Sequence, residues 1–179
     1  ADLDKWELFA TRVLGVQMDR TPDGATLRWD DRAARVFLSE GPLDDLSALG
    51  LECMNLDELE DTAAALRAAG VEVTRASKAQ CTARHVEAMY CFREVCGNQA
   101  EIFVGAHSGK AFESELVPSG FVTGSQGLGH IVLRARDRDA ATRWYCDVLG
   151  FGLSDQIVTE IGGFKIDIAF MHTNPRHHS

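Results

Sequence analysis

The sequence contains no Cys-x-x-Cys pair, although it has five cysteines, Cys53, Cys81, Cys91, Cys96 and Cys146. An odd number without that spacing argues against a disulfide framework and a thiolate zinc site, and it suits a reducing cytosol. Buried or idle thiols are the expected role for all five. Basic clusters are lacking too. The 18 lysines and arginines face 27 aspartates and glutamates, a net charge of −9, so nucleic acid is not an expected partner. No stretch approaches the roughly 20 apolar residues that a membrane span needs, so no membrane partner is expected. No apolar signal-peptide core precedes the first helix. The expectation is a cytoplasmic protein of ordinary globular composition. With 45% hydrophobic and 25% charged residues over 179 positions, it can bury a real core as one large domain or two small ones.

What the chain has is a repeat, the pattern that most constrains a fold. DLDKWELFATRVLGVQM stands at residues 2–18 and DRDAATRWYCDVLGFGL at 137–153. At a constant offset of 135, Asp2 meets Asp137, Asp4 meets Asp139, Phe9 meets Trp144, and Val13-Leu14-Gly15 meets Val148-Leu149-Gly150. Each copy reads as a helix with an Asp N-cap and a Gly stop. Trp6, Phe9 and Val13 form the apolar stripe in one, and Ala141, Trp144 and Val148 in the other. A looser third copy, residues 55–73, starts on acidic residues, closes at Gly70 and leads into a strand.

Strand-like stretches surround these helices. Residues 25–31 and 34–40 form a hairpin, and GLECM (50–54) precedes the third helix. VEAMYCFREV (86–95) and QAEIFVG (99–105) join through a turn at Cys96-Gly97-Asn98. After Gly120 the order restarts with GLGHIVLRA (127–135), a helix, QIVTEIG (156–162) and FKIDIAFMHT (164–173). The unit is strand–helix–strands, an α+β arrangement. Residues 1–105 make a first domain, the Gly- and Ser-rich 106–126 a linker, and 127–179 the start of a second domain. The offset also implies a fragment: the strand before the first helix and the partners of 45–105 would fall outside the chain.

Alternation on GLGHIVLRA sets Leu128, His130 and Val132 on one face, and Ile131 and Leu133 under the following helix. A lone strand histidine is more often a satisfied core or rim residue than a ligand. The last strand sets Phe164, Ile166, Ile168, Phe170 and His172 on one face, with Lys165, Asp167, Ala169 and Met171 on the other. Taken singly, His172 reads as a backbone hydrogen-bonder, Asn174-Pro175 as a turn, and Arg176 as a partner for a carboxylate. The co-occurrence of GLGH, the VLGF helix and HTNPRHHS is the distinctive feature.

That combination resembles the type I extradiol ring-cleavage dioxygenases of the vicinal oxygen chelate superfamily, over essentially the whole chain. GLGH or VLGF alone is shared with glyoxalases and antibiotic-resistance proteins of the superfamily; H-x-N-x-R-H-H at this distance is specific. The resemblance implies βαβββ modules in two domains, the second incomplete here. It implies cleavage of a catechol-type ring by O₂ at a non-haem iron, with the metal held only by the second domain. Two histidines and a glutamate would bind Fe(II), leaving three positions open. His130 corresponds to the first of those histidines, and the other two ligands would follow Ser179. Mn(II) also accepts this ligand set. The last His of the RHH run corresponds to the family's acid/base, which assigns that role to His178; a pKa near 6.5 suits it. His177 is left as structural. Val132 and Phe170 match substrate-pocket positions, with plain core packing as the open alternative for both. The implied substrate is a bicyclic or larger catechol such as 2,3-dihydroxybiphenyl or 1,2-dihydroxynaphthalene, and the implied state a homo-oligomer. The alternatives are a metal-free small-molecule-binding member and a glyoxalase-like member of the same superfamily.

Overall fold

The computed structural model describes residues 1–178 other than Asp44, with the side chain of Ser125 also outside the description. The element order is α1 (Leu3–Phe9), a π-helical turn (Ala10–Leu14), β1 (Gln17–Thr21), β2 (Gly24–Arg28), β3 (Val36–Ser39), β4 (Leu49–Glu52), α2 (Leu56–Ala68), β5 (Thr74–Arg75), α3 (Lys78–Ala83), β6 (Ala88–Arg93), β7 (Gln99–Val104), a 3₁₀ turn (Gly124–Gln126), α4 (Arg138–Leu149), β8 (Gly152–Ile161) and β9 (Phe164–His172). The strands form three sheets ordered β1-β2-β3, β4-β7-β6-β5 and β8-β9. One complete strand–helix–three-strand unit is visible as β4-α2-β5-β6-β7. The α+β reading holds.

The repeat is reproduced at both ends of its helices. Asp2 caps α1 by accepting the Lys5 amide, and Asp137 caps α4 by accepting the Ala140 amide. The first turns close through Trp6 N to Asp2 O (3.0 Å) and Ala141 N to Asp137 O (3.1 Å). The exits match as well: Val16 N bonds Ala10 O at 3.0 Å and Phe151 N bonds Tyr145 O at 3.1 Å. Gly15 and Gly150 both sit at φ 71°, ψ 21°, the left-handed conformation that ends helices. The copies differ inside: α4 runs regularly to Leu149, whereas α1 stops at Phe9 and widens into the π turn.

The buried stripe is not quite the expected one. Leu3 and Ala10 are buried and Trp6 packs on that core, while Phe9 and Val13 are exposed. In α4 the buried residues are Ala141, Thr142 and Tyr145, with Trp144 and Val148 half-buried. Neighbours three and four residues on lie on adjoining faces, and the i+4 row won. Three further expectations shift. Residues 71–73 are coil and the strand after α2 is Thr74–Arg75; α3 and β1 were not anticipated. Most notably, 127–135 is not a strand. Alternation of apolar residues signals an extended backbone, but a strand also needs a ladder partner, and none of the described residues supplies one.

The chain divides into two compact units. The first takes Ala1–Ser47, Ala76–Met89 and Phe103–Leu128. Its core joins Leu3, Ala10, Val16, Ala25, Leu27 and Leu38, with Trp6, Met18, Trp29, Val36 and Phe121 packed against it. Three arginines of the β2–β3 region bind the segment after β7 or each other's turn. Arg28 donates to Lys110 O (2.5 Å), Arg32 to Ala106 O (2.7 Å), and Arg35 to Asp30 Oδ2 (2.7 Å).

The second unit takes Ala48–Arg75, Tyr90–Ile102 and Gly129–Ser179. Leu59, Leu66 and Ile102 are its fully buried large side chains. Its buried carboxylate, Glu94, sits at the turn between β6 and β7 and is fully used. It accepts from Cys96 N, Asn98 N and Asn98 Nδ2, each at 2.7 Å, and from Tyr145 Oη of α4 at 3.1 Å. Burial first, then the Glu94 charge, pushes the Tyr145 phenol far up, so it stays a donor. Two turns earlier on α4, Arg138 Nε stands 2.9 Å from Asp167 Oδ1 of β9, an ion pair in which the N–H is not aligned for a hydrogen bond.

Gly15 and Gly150 share a backbone but not surroundings. A Cβ on Gly15 would lie 2.9 Å from Val117 Cγ2 and 3.0 Å from Leu116 Cβ, while one on Gly150 would meet nothing within 4 Å. Gly150→Ala should therefore cost only the left-handed backbone penalty of about 1–2 kcal/mol, and Gly15→Ala clearly more. Urea unfolding midpoints check this; equal losses would mean that residues 114–117 do not press on Gly15.

Candidate active site

β9 and the bend after it deliver most of the candidate residues. Beyond His172 the chain turns at Asn174, whose Oδ1 accepts the Arg176 amide at 3.0 Å and Arg176 Nε at 3.2 Å. This side-chain-closed turn is what an Asn-Pro pair favours. It sends the next residues back onto the strand. His178 meets the Phe170 ring edge-on, centroids 5.2 Å apart at 68°, and His177 meets the same ring at 5.8 Å and 55°. The two imidazoles touch through their Nδ1 atoms at 3.0 Å.

His130 arrives from the irregular segment ahead of α4 and lies against His178, ring centroids 4.4 Å apart at 63°. Its ring is exposed, and neither nitrogen has a hydrogen-bond partner among the described residues. Two of the four expected residues thus meet directly, and Phe170 joins them through His178. Val132 stands apart, 81% exposed, which removes core packing as its role in this chain. Phe170 is half-buried, its face shared with the imidazoles. His172 bonds a side chain instead of a backbone group: its Nδ1 lies 2.5 Å from Ser154 Oγ.

Asp155 escaped the sequence reading. It sits on β8 with Oδ2 4.0 Å from His177 Nε2. Alternation could not have placed it, because the β8–β9 pairing slips between Leu153 and Asp155.

The His178 pKa is lowered, first by partial desolvation of the ring, then by His130, His177 and Arg176 as positive neighbours. Among the described residues no three His, Cys, Asp or Glu side chains gather closely enough to hold a metal ion. The free imidazole of His130 suits one position on a borderline divalent cation. A complete three-donor face is not present among the described residues.

The class defined by this architecture is the glyoxalase-like α+β fold of repeated strand–helix–strand modules. Residues 127–179 match the family model described as the glyoxalase/bleomycin resistance protein/dioxygenase superfamily, and residues 1–41 match the one described as dihydroxybiphenyl dioxygenase BphC D1. The chain is 37% identical over 185 residues to a biphenyl-2,3-diol 1,2-dioxygenase of Metapseudomonas furukawaii, an alignment covering 100% of this chain and 60% of that protein. It is 38% identical over 191 residues to an iron-dependent extradiol dioxygenase of Rhodococcus jostii (strain RHA1), covering 99% and 62%. The crystal structure of a halotolerant catechol dioxygenase superposes with a TM-score of 0.90 at 32% identity, covering 99% of this chain and 59% of that one. The chain spans about three fifths of the length of these relatives.

A histidine whose folded pKa lies below its unfolded value of about 6.5 takes up its proton first in the unfolded chain. Its contribution to stability is present above that value and is lost as the pH falls toward the folded pKa. The urea midpoint should therefore drop as the pH falls below about 6.5, and His178→Gln should flatten part of that slope. A slope unchanged by the substitution would show that His178 titrates normally.

Proposed function

We propose that this chain is part of an extradiol dioxygenase that opens a catechol-type ring with O₂ at a non-haem Fe(II) site in aromatic degradation. The observation that supports it most is the gathering of His130 and His178, distant in sequence, at one exposed spot beside Phe170. The family matches at both ends of the chain and the names of the relatives support it further.

In this reading His130 is one metal ligand, joined by a histidine and a carboxylate beyond the described residues. The iron-dependent relative favours Fe(II), with Mn(II) as the other ion the donor types accept. A bound ion would supply the Lewis acidity that makes a catechol hydroxyl acidic. His178 moves the proton, and desolvation of the ring together with its positive neighbours lowers its pKa. Phe170 presses on the imidazoles of the RHH run and sets their tilt. It would present its remaining surface to an apolar ring system, and exposed Val132 is the second pocket residue of this reading. A second aromatic ring, as in 2,3-dihydroxybiphenyl or 1,2-dihydroxynaphthalene, would cover more of that surface than a plain catechol.

Residues 1–105 are in this reading a metal-free first domain, 106–126 a linker and 127–179 the opening module of the catalytic domain. A homo-oligomer in the cytoplasm completes it; no helix among the described residues is long and apolar enough to cross a membrane. A metal-free binding module or a glyoxalase-like enzyme would leave the RHH run without a task.

The test uses the complete reading frame that encodes this chain. Purified anaerobically, it should hold iron and turn yellow with 2,3-dihydroxybiphenyl in air, faster than with unsubstituted catechol. His130→Ala should lose the iron. His178→Gln should keep it and slow turnover by about 10²–10⁴-fold, the range of one general acid–base group. Tight substrate binding without iron or colour would support the binding-module rival instead.

A further inference from the structure

The β8–β9 ladder carries one irregularity, and it lies beside the candidate site. Gly152 pairs with His172 and Leu153 with Met171, but Asp155 pairs with Phe170, which leaves Ser154 as an extra residue. A one-residue bulge reverses the face that every later side chain takes. Unbulged pairing would set Asp155 opposite Ala169, on the side where Asp167 meets Arg138 of α4. The bulge moves Asp155 to the face of Phe170, within 4.0 Å of His177 Nε2. Its other oxygen accepts the Gln156 amide at 2.7 Å, which steadies the carboxylate.

These positions give the histidine pair a direction. A neutral imidazole carries a single N–H. A carboxylate near Nε2 of His177 favours the proton on that nitrogen, so Nδ1 of His177 is left as a lone pair. The 3.0 Å contact between the two Nδ1 atoms then has His178 donating and His177 accepting. Nε2 of His178 has no hydrogen-bond partner among the described residues and so presents a lone pair. Histidine side chains free in water favour the opposite arrangement, with the proton on Nε2.

We infer that Asp155 and His177 form a relay that holds His178 in its Nδ1–H form and makes Nε2 of His178 the base that takes a catechol proton. The O–H bond of the hydroxyl breaks, an N–H forms at Nε2, and His178 becomes an imidazolium. It still donates to His177 through Nδ1, so the contact survives proton uptake. Asp155 and His177 are positioning residues: they touch neither metal nor substrate, and they act by fixing which nitrogen of His178 is free. The relay deepens the ring-cleavage reading and rests on it for the identity of the proton donor.

The nitrogen shifts of the chain labelled with ¹⁵N on its histidines read the tautomer directly, at a pH where the imidazoles are neutral. Nε2 of His178 should resonate in the pyridine-like range and Nδ1 in the pyrrole-like range. Asp155→Asn, whose amide N–H₂ can donate to Nε2 of His177, should reverse both assignments. His177→Phe should return His178 to the free-imidazole preference. His177→Asn, whose amide oxygen can accept the same hydrogen bond, should restore part of the original pattern. Residues 155 and 177 are exposed, and the backbone amide spectrum reports in the same samples whether each variant folds. Nε2–H in the parent chain, or no response of His178 to Asp155→Asn, would overturn the relay. These shifts need no metal and no turnover. A relay present in a protein without iron or colour would sink the ring-cleavage reading alone, and active enzyme with the opposite tautomer would sink the relay alone.

Discussion

The pairing register of β8 and β9 is the constraint on which the candidate site depends. The hairpin turns through Gly162 and Gly163, both at positive φ, the conformation that two-residue hairpin turns require. From Ile161 opposite Phe164 the ladder runs without a break to Asp155 opposite Phe170. Each pair commits two side chains to one face. One face carries Asp167 to Arg138 on α4. The other carries Phe170 and His172, and after the bulge at Ser154 it carries Asp155 as well. A shift of a single residue would exchange the two sets, putting the aromatic support of the histidines against the helix.

The helices obey more local rules, which explains why the repeat survives in such detail. An Asp cap and a left-handed glycine satisfy backbone groups that a helix end would otherwise leave bare. Both devices act within a few residues, so the copies starting at Asp2 and Asp137 fold alike whatever lies around them. Their interiors depend on packing and differ accordingly. The first copy widens into a π turn and presses Gly15 under residues 114–117, whereas the second stays regular and leaves Gly150 open.

Two carboxylates of the second unit show how setting decides role. Glu94 is buried, and four donors saturate it, with Tyr145 held as a permanent phenol. Every lone-pair direction it uses is directed at its own fold, so its contribution is structural. Asp155 is exposed, bonds one backbone amide, and keeps an oxygen facing an imidazole. That second oxygen stands near the imidazole with no hydrogen-bond partner among the described residues.

Much of the fold was legible in the residues themselves. Caps, glycine stops, apolar periodicity and the offset of 135 identified the repeated helices, the hairpins and the α+β class. The pairing of GLGH with the RHH run marked His130 and His178, and the structure brings those two rings together. Less legible were the buried row of each helix, where stripes three and four residues apart compete, and the irregular segment 127–135, where alternation promised a strand that has no ladder partner among the described residues. Asp155 was invisible because a bulge breaks the alternation from which faces are read. Sequence determined what acts over a few residues: capping, turning and periodicity, which depend on the backbone groups next to each side chain. Tertiary structure alone decided which faces meet, which carboxylate stands beside His177 and how the three imidazoles lie, because strand register and side-chain packing are set by partners far along the chain.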